Sequence, residues 1–380
     1  MIQMAASIPR VEVLMPGSRL TVQDLGRRGS QRFGVSVSGV LDLQASVLAN
    51  RLVGNPATSA IFESTFGGTS LVFDADTKVA VTGAEVSVDI DGFNVPVWET
   101  LIVPAHAVLS VSAPMAGLYA YVAVAGGLDV PSVLSSRSTH VASGIGGLGG
   151  RALSSGDILP IGEETDGNER PSAGTTRPAS VAPAFHGAGQ PIRVIAGPQF
   201  DAFDDASKSI FFESQFVVSN LTDRQGARLD GAEIPAIDGK HDIVSDPAYM
   251  GAVQVPADGK PIILLADRQP TGGYAKIASV ISADLPSVVQ RAPGSEVVFD
   301  LIEVEQAQEL AREFNHIIGN APLQEPANTY STDFKVAGET YNVHLARPSN
   351  ASSGDEIVYV DFGEKTEIVA TVEVLEESSD

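Results

Sequence analysis

Two polar segments flanked by glycine hold the residues best suited to chemistry. In the second half of the chain, Gln254 leads through a turn into the apolar run 262–266. At the end of that run stand Asp267, Arg268, Gln269, Thr271, Gly272, Gly273, Tyr274 and Lys276. An acid, a guanidinium, an amide, a hydroxyl and an amine delivered at one end of a buried strand are held rigidly, which is a usual way to build a site. The paired glycines would let backbone N–H groups approach a ligand oxygen, as in an oxyanion hole. Asp267, Tyr274 and Lys276 are candidates for proton transfer, and Arg268 is a candidate anion anchor. In the first half, Gln23, Asp24, Gly26, Arg27, Arg28 and Gly29 follow the strand-like stretch 19–22. A planar guanidinium there suits bidentate recognition of carboxylate or phosphate. For each segment the alternative is a structural turn, with Asp24 bound to Arg27 or Asp267 to Arg268.

Charge sharpens the question of what such residues would bind. The chain of 380 residues carries a formal net charge of −23. Such a surface repels nucleic acid and anionic lipid, and an anionic substrate must be met by arginines and lysines gathered locally. No nucleic-acid or membrane partner is expected. The absence of cysteine excludes disulfides, thiolate nucleophiles and cysteine zinc sites, and suits a reducing cytoplasm. No basic segment followed by a long apolar run opens the chain, and no apolar run approaches ~20 residues. A cytoplasmic protein is expected.

Several familiar devices fail their context. Gly144, Gly146 and Gly149 have dinucleotide-fingerprint spacing, but 151–159 reads as a turn into a strand where a helix is needed. Gly239-Lys240 and Gly259-Lys260 are followed by His241 and Pro261, so neither is a phosphate loop. No Gly-x-Ser-x-Gly elbow occurs, and the histidines at 106, 140, 186, 241, 316 and 344 are scattered, so no metal site is expected. An Ala-Met-Lys-Met biotin attachment sequence is also missing.

The elements that must position these residues are mainly strands. Short β runs at 71–73, 79–82, 86–90, 95–97, 101–103, 108–111 and 118–125 recur about every ten residues between turn signals, as in a barrel or sandwich. Helices are expected over 41–53, ended by Gly54 and Asn55-Pro56, over 275–285, and over 306–317. The stretch 161–190 is rich in Pro, Gly, Ser and Thr without a hydrophobic period and reads as a linker or long loop. On either side of it the halves look alike. Residues 11–14 before Pro16-Gly17 correspond to 192–195 before Gly197-Pro198, 26–29 to 223–226, and 136–139 to 267–271. The organisation is then a first β-barrel half over 10–160, a second over 191–325, and a small β tail over 331–375. The stretch 331–380 carries 11 acidic and 3 basic residues. The fold class is mainly β with a few helices, in two pseudo-repeated β-barrel domains.

Many motifs occur in an order that is itself recognisable. They include Gln23-Asp24-Leu25-Gly26-Arg27, the run 34–39 with Asp42, the run 49–55, Glu63, the run 82–84 and Gly126-Gly127. Ser135-Ser136-Arg137-Ser138-Thr139, Gly197-Pro198-Gln199, Asp223-Arg224-Gln225-Gly226, Gln254-Val255-Pro256 and Thr271-Gly272-Gly273-Tyr274 continue the series. Together they resemble the allophanate hydrolase subunit 2 family, also called the biotin-dependent carboxyltransferase family, over about residues 10–300. The resemblance implies a cyclophilin-like barrel and one subunit of an ATP-dependent 5-oxoprolinase, which hydrolyses a cyclic amide to glutamate. A shorter homologous subunit and a third subunit would complete it, with ATP held here or on a partner and no biotin on this chain. Arg268 and Arg27 would anchor the substrate anion. Gln23, Asp24, Arg137, Gln254 and Thr271 would join them in binding, with Gly272 and Gly273 at the oxyanion. The family also includes the carboxyltransferase component of urea carboxylase and a binding antagonist of a kinase inhibitor, which are the alternatives. Residues 331–380 depart from the family pattern and are expected to be structural.

Overall fold

The computed structural model describes residues 8–164, 171–187 and 189–325, and beyond them the backbone of strands Thr329–Val336, Glu339–Ala346, Asp355–Asp361 and Thr366–Glu373. The first half is built from a six-stranded and a five-stranded sheet packed face to face. Alternating side chains explain the packing. Val11 and Val13 of one sheet, and Leu20 and Val22 of the other, point into a common apolar core with Phe62, Phe73, Val79 and Val81. The run of short strands read between 71 and 125 lies in these two sheets.

The second half is an eight-stranded sheet whose edges are Glu296–Val297 and Phe299–Leu301. One residue separates those edges in the chain, so the sheet nearly closes on itself. Its core is shared with the first half: Leu41, Leu48, Tyr121 and Trp98 belong to the same apolar cluster as Phe203, Phe211, Val253 and Ile263. A two-stranded arm, Asp242–Pro247 paired with Thr271–Tyr274, stands apart from both sheets. The tail strands form a four-stranded antiparallel meander, and residues 374–380 lie outside the described residues.

Four helices complete the fold among the described residues. Helix α1 (Leu43–Leu52) is capped by Asp42, whose carboxylate accepts from the Ala45 amide, and nearly all of it is buried. Helix α2 (Asp205–Glu213) is capped by Asp204 and escapes sequence reading, because Ile210, Phe211 and Phe212 are adjacent rather than spaced by helical turns. The helix expected over 275–285 is not one. Lys276–Val280 is a central strand buried at every position, and only Leu285–Val289 turns as helix α3. A strand covered on both faces loses its two-residue alternation and cannot be told from a buried helix by period. Helix α4 (Val304–Asn320) extends the expected 306–317 and packs Phe314 and Ile318 against Val47 of α1.

The polar stretch after residue 160 is tied down where it is described. Thr175 and Thr176 are buried, and the Thr100 amide donates to Thr175 O. Residues 165–170 and 188 lie outside the described residues.

Candidate functional site

A cavity of about 360 Å³ opens where the two halves meet. The first half contributes Leu25, Arg28, Gly29, Ser38 and Leu41, and the second contributes Met250, Arg268, Ser282 and Leu285. Local backbone chemistry shapes the first wall. Gly26 has φ +84°, and a Cβ there would meet the carbonyls of Val37 and Ser38 at 2.8 Å. The loop can therefore fold back on 37–39 only with glycine at this position. The opposite wall is the loop that leaves strand Ile262–Leu264.

Arg268 is 9% exposed and has no carboxylate partner among the described residues. Its Nη1 donates to Leu265 O (3.0 Å) and its Nε to Ala248 O (3.3 Å). Burial, with the Arg28 charge adding to it, pushes the guanidinium down to about 10. Arg28 is exposed on the facing wall, and none of the lining residues is acidic. Two guanidiniums that repel each other across a partly apolar cavity favour a ligand anion between them.

Behind the cavity the acid next to Arg268 is already occupied. Asp267 accepts from Arg224 Nε (2.9 Å), Arg224 Nη2 (3.1 Å) and Ser38 Oγ (2.8 Å). Arg224 also donates to Glu63 and to Gly39 O. Burial works to lower the Arg224 pKa, but Glu63 and Asp267 outweigh it and hold the guanidinium more firmly charged. Glu63 accepts in turn from Tyr121 Oη (2.9 Å) and the Leu41 amide (3.0 Å). Asp267 thus pairs with Arg224 of the other loop rather than with its neighbour Arg268, and it does not line the cavity.

The first polar segment is also mostly turned inward. Arg27 is fully buried; it donates to Ser138 O, and its Nε and Nη1 have no partner among the described residues. Burial lowers its pKa, against the pull of Asp24 and Asp267. Asp24 accepts from Ser136 Oγ (2.7 Å), the Arg137 amide (2.6 Å) and the Gly26 amide (2.8 Å). Gln23 donates to Thr139 O (3.1 Å). The Arg137 guanidinium lies on Asp129 at the surface (2.8 Å). These residues lock the loops 24–27 and 136–139 together, while Arg28, named in the segment but given no role of its own, reaches the cavity. Arg27 meets the backbone carbonyl of Ser138, whereas Arg224 meets the carboxylate of Asp267.

Of the remaining candidates, Gln254 and Lys276 lie at the other end of the same strands. Gln254 pairs in register with Ile262 and with Lys276, whereas Arg268 follows the Leu264 end. Thr271–Tyr274 runs back as a strand of the arm, so it carries Gly272, Gly273 and Tyr274 along the sheet rather than gathering them with Arg268. Lys276 is buried and donates to Asp246 Oδ2 (2.9 Å), and Tyr274 and Thr271 are exposed. Among the described residues no group of three His, Asp or Glu side chains could hold a metal ion. No helix of the described residues is long and apolar enough to cross a membrane.

Beside the cavity, burial raises the Asp42 carboxyl to about 6, against the lowering effect of its bonds from the Ala45 amide and Gln290 Nε2. A carboxyl whose folded pKa lies above its unfolded value of ~3.9 contributes stability below that value and loses it as pH rises through about 6. The unfolding free energy of the native protein relative to Asp42→Asn should therefore fall by about 2–3 kcal/mol between pH 4 and pH 7. Urea denaturation of both proteins at the two pH values measures it; a difference independent of pH would show that Asp42 titrates normally.

Comparison with known proteins gives a consistent picture. The model of the family described as carboxyltransferase domain, subdomain A and B, matches residues 33–301. The chain is 37% identical to a subunit of the 5-oxoprolinase of Escherichia coli (strain K12) over 297 residues, 78% of this chain and 93% of that one. It is 34% identical to the corresponding 5-oxoprolinase subunit of Haemophilus influenzae, over 80% of this chain and 94% of the relative. Among solved structures, the K. lactis urea amidolyase superposes with a TM-score of 0.77 and 26% identity, over 97% of this chain and 24% of that much longer one.

Proposed function

Because the chain belongs to the carboxyltransferase domain, subdomain A and B, family, we propose that it is the subunit of a 5-oxoprolinase that binds the cyclic amide acid for ATP-dependent opening to glutamate. The observation that carries this reading is the cavity between the halves, where Arg28 and Arg268 face the same space and no lining residue is acidic. In a protein of net charge −23 such a place is built for an anion. The substrate carboxylate would accept from the two guanidiniums, and Leu25, Leu41, Met250 and Leu285 would cover the ring methylenes. Relatives that are themselves named as subunits of 5-oxoprolinase support an assembly of several chains.

The lining residues include no Asp, Glu, His, Lys or Tyr, so a proton carrier would come from a partner subunit. The sequence holds no phosphate loop, and we place the nucleotide on a partner as well. The shorter homologous subunit and a third one are the partners this reading requires, and ATP places the assembly in the cytoplasm.

One observation favours a second reading, as the carboxyltransferase component of a urea carboxylase. In sequence the 5-oxoprolinase relatives match 78% and 80% of this chain, whereas the urea amidolyase of Lachancea kluyveri matches 93%, and the K. lactis urea amidolyase structure superposes on 97%. The uncovered 3% is shorter than the tail, so that match runs into the four-stranded meander, which the expectation of a family boundary near residue 300 did not foresee. On this reading carboxybiotin arrives on another chain. ATP-dependent glutamate formation from 5-oxoproline, compared with urea carboxylation, should be assayed on the chain co-expressed with its partners. Turnover of 5-oxoproline by the complex and none by the single chain is expected; urea-dependent turnover alone would select the second reading.

A further inference from the structure

A second cavity, of about 320 Å³, opens on the six-stranded sheet of the first half and shares no lining residue with the arginine cavity. Two turns frame it. One joins strands Val88–Ile90 and Phe93–Val95, where Asp91 (φ +51°) and Gly92 (φ +84°) make the tight two-residue turn that Asp-Gly favours. The other spans 104–107 and is closed by the Ala107 amide donating to Pro104 O (3.1 Å). His106 stands third in that turn at φ +69°, a place and a conformation that suit glycine. A side chain kept there against the backbone preference needs a reason. Packing does not supply one, because His106 is exposed and its imidazole makes no hydrogen bond among the described residues. Asp91 Oδ1 accepts from the Val108 amide (2.8 Å), and among the described residues no group donates to Oδ2. Asp91 and His106 line the cavity with the half-exposed ring of Phe93 and the apolar surface of Pro104 and Ala105. Further carboxylates hold both turns, since the Gly92 amide donates to Asp89 (2.9 Å) and the Ala105 amide to Asp76 (2.8 Å).

We propose that this cavity is a second ligand site and that it takes a primary ammonium carried on a small apolar or aromatic body. The ammonium donates to Asp91 Oδ2 and to an imidazole nitrogen of His106, and the body lies against Phe93, Pro104 and Ala105. Charge selects this class. The lining holds a carboxylate and neither lysine nor arginine, and a chain of net −23 gathers cations at its surface. A bare divalent ion fits less well, because it asks for several oxygen ligands and no group of three His, Asp or Glu among the described residues could hold one. An amine needs only one charge-assisted bond and finds its remaining contact on the aromatic face. The site is thus the opposite of the arginine cavity in the charge it selects, and it does not depend on the identity of the reaction there.

The test is a titration of the purified full chain with 2-phenylethylamine, followed by ligand-observed NMR. Saturable binding is expected, at least ~10-fold tighter than that of 2-phenylethanol, which keeps the ring and lacks the charge. Asp91→Asn removes the charge but keeps an acceptor for the Val108 amide, and Asn-Gly forms the same turn. It should weaken the amine ~10-fold or more with little change in thermal unfolding. His106→Gly adopts φ +69° without strain, so it should unfold no earlier than the native chain while binding the amine ~3-fold or more weakly. Absence of saturable binding to the native chain would overturn the proposal. Binding that Asp91→Asn leaves unchanged would be attraction to the acidic surface at large and would overturn it as well. A His106→Gly chain that binds the amine as the native chain does would overturn it equally, whatever its unfolding temperature.

Discussion

Arg28→Ala and Arg268→Ala should each lower kcat/KM of the assembled enzyme by ~10- to 150-fold, the loss of one charge-assisted hydrogen bond of about 1.5–3 kcal/mol to the substrate carboxylate. Their effects on stability should differ. Arg28 is exposed and makes no hydrogen bond or ion pair among the described residues, so its removal should leave thermal unfolding nearly unchanged. Arg268 donates to the carbonyls of Ala248 and Leu265, and its removal should cost about 1 kcal/mol for each. Arg28→Ala is therefore the cleaner probe. A carboxylate held equally in ground and transition states would appear as a raised KM with kcat unchanged. Arg268→Lys should recover only part of the loss, because an ammonium keeps the charge without the planar fork. Normal kinetics in both alanine variants would show that the cavity between the halves is not where the substrate binds.

The largest effect on stability should come from Arg224→Met. Arg224, Glu63 and Asp267 form a buried ionic group joining the two halves, with a guanidinium between two carboxylates. Removing the cation leaves both acids buried and unpaired, at a cost of about 3–5 kcal/mol. In a chain of this size that corresponds to a fall in Tm of roughly 5 °C. Adding Glu63→Gln and Asp267→Asn to the same protein should restore much of the loss, because the charges that needed Arg224 are then gone. The comparison also bears on Asp267 as a proton-transfer group. If it were one, Asp267→Asn would abolish turnover in a fully folded complex, whereas a structural partner of Arg224 would lower Tm first. An unchanged Tm in Arg224→Met would contradict the role given to the triad.

What could be read from the sequence followed the range of the physics involved. The strands between 71 and 125 and helix α4 carry their pattern in neighbouring residues, so spacing alone revealed them. Arg268 was legible because a fully apolar run ends in a polar cluster. Arg28 was not, since nothing in the chemistry of adjacent arginines says which one turns inward; the fold buries Arg27 against Ser138 and leaves Arg28 facing the cavity. Lys276 was placed in a helix because its strand is buried on both faces. The partner of Asp267 lies 43 residues away and that of Glu63 lies 161 away, and no local signal connects them. The cluster of Gln254, Gly272 and Lys276 was recognised as polar and glycine-rich, but its separation from Arg268 depends on the arm running back along the sheet.

The grip of helix α4 on helix α1 bears on how the chain is made. Arg51 donates to the carbonyls of Ile318 and Ala321, so α1 is held by a segment synthesised some 270 residues later. Gln290 likewise accepts from the amides of Leu118 and Tyr119. A domain that folds as it leaves the ribosome needs its contacts behind it, and these lie ahead. The first half should therefore wait, its central strands incompletely covered, until residue 320 has emerged. Nascent chains stalled near residue 190 should be cut readily by protease, and chains stalled well past 325 should resist; early resistance would mean that the first half closes without its late partner. Refolding of the full chain should be slow for the same reason, since most of its contacts are long-range.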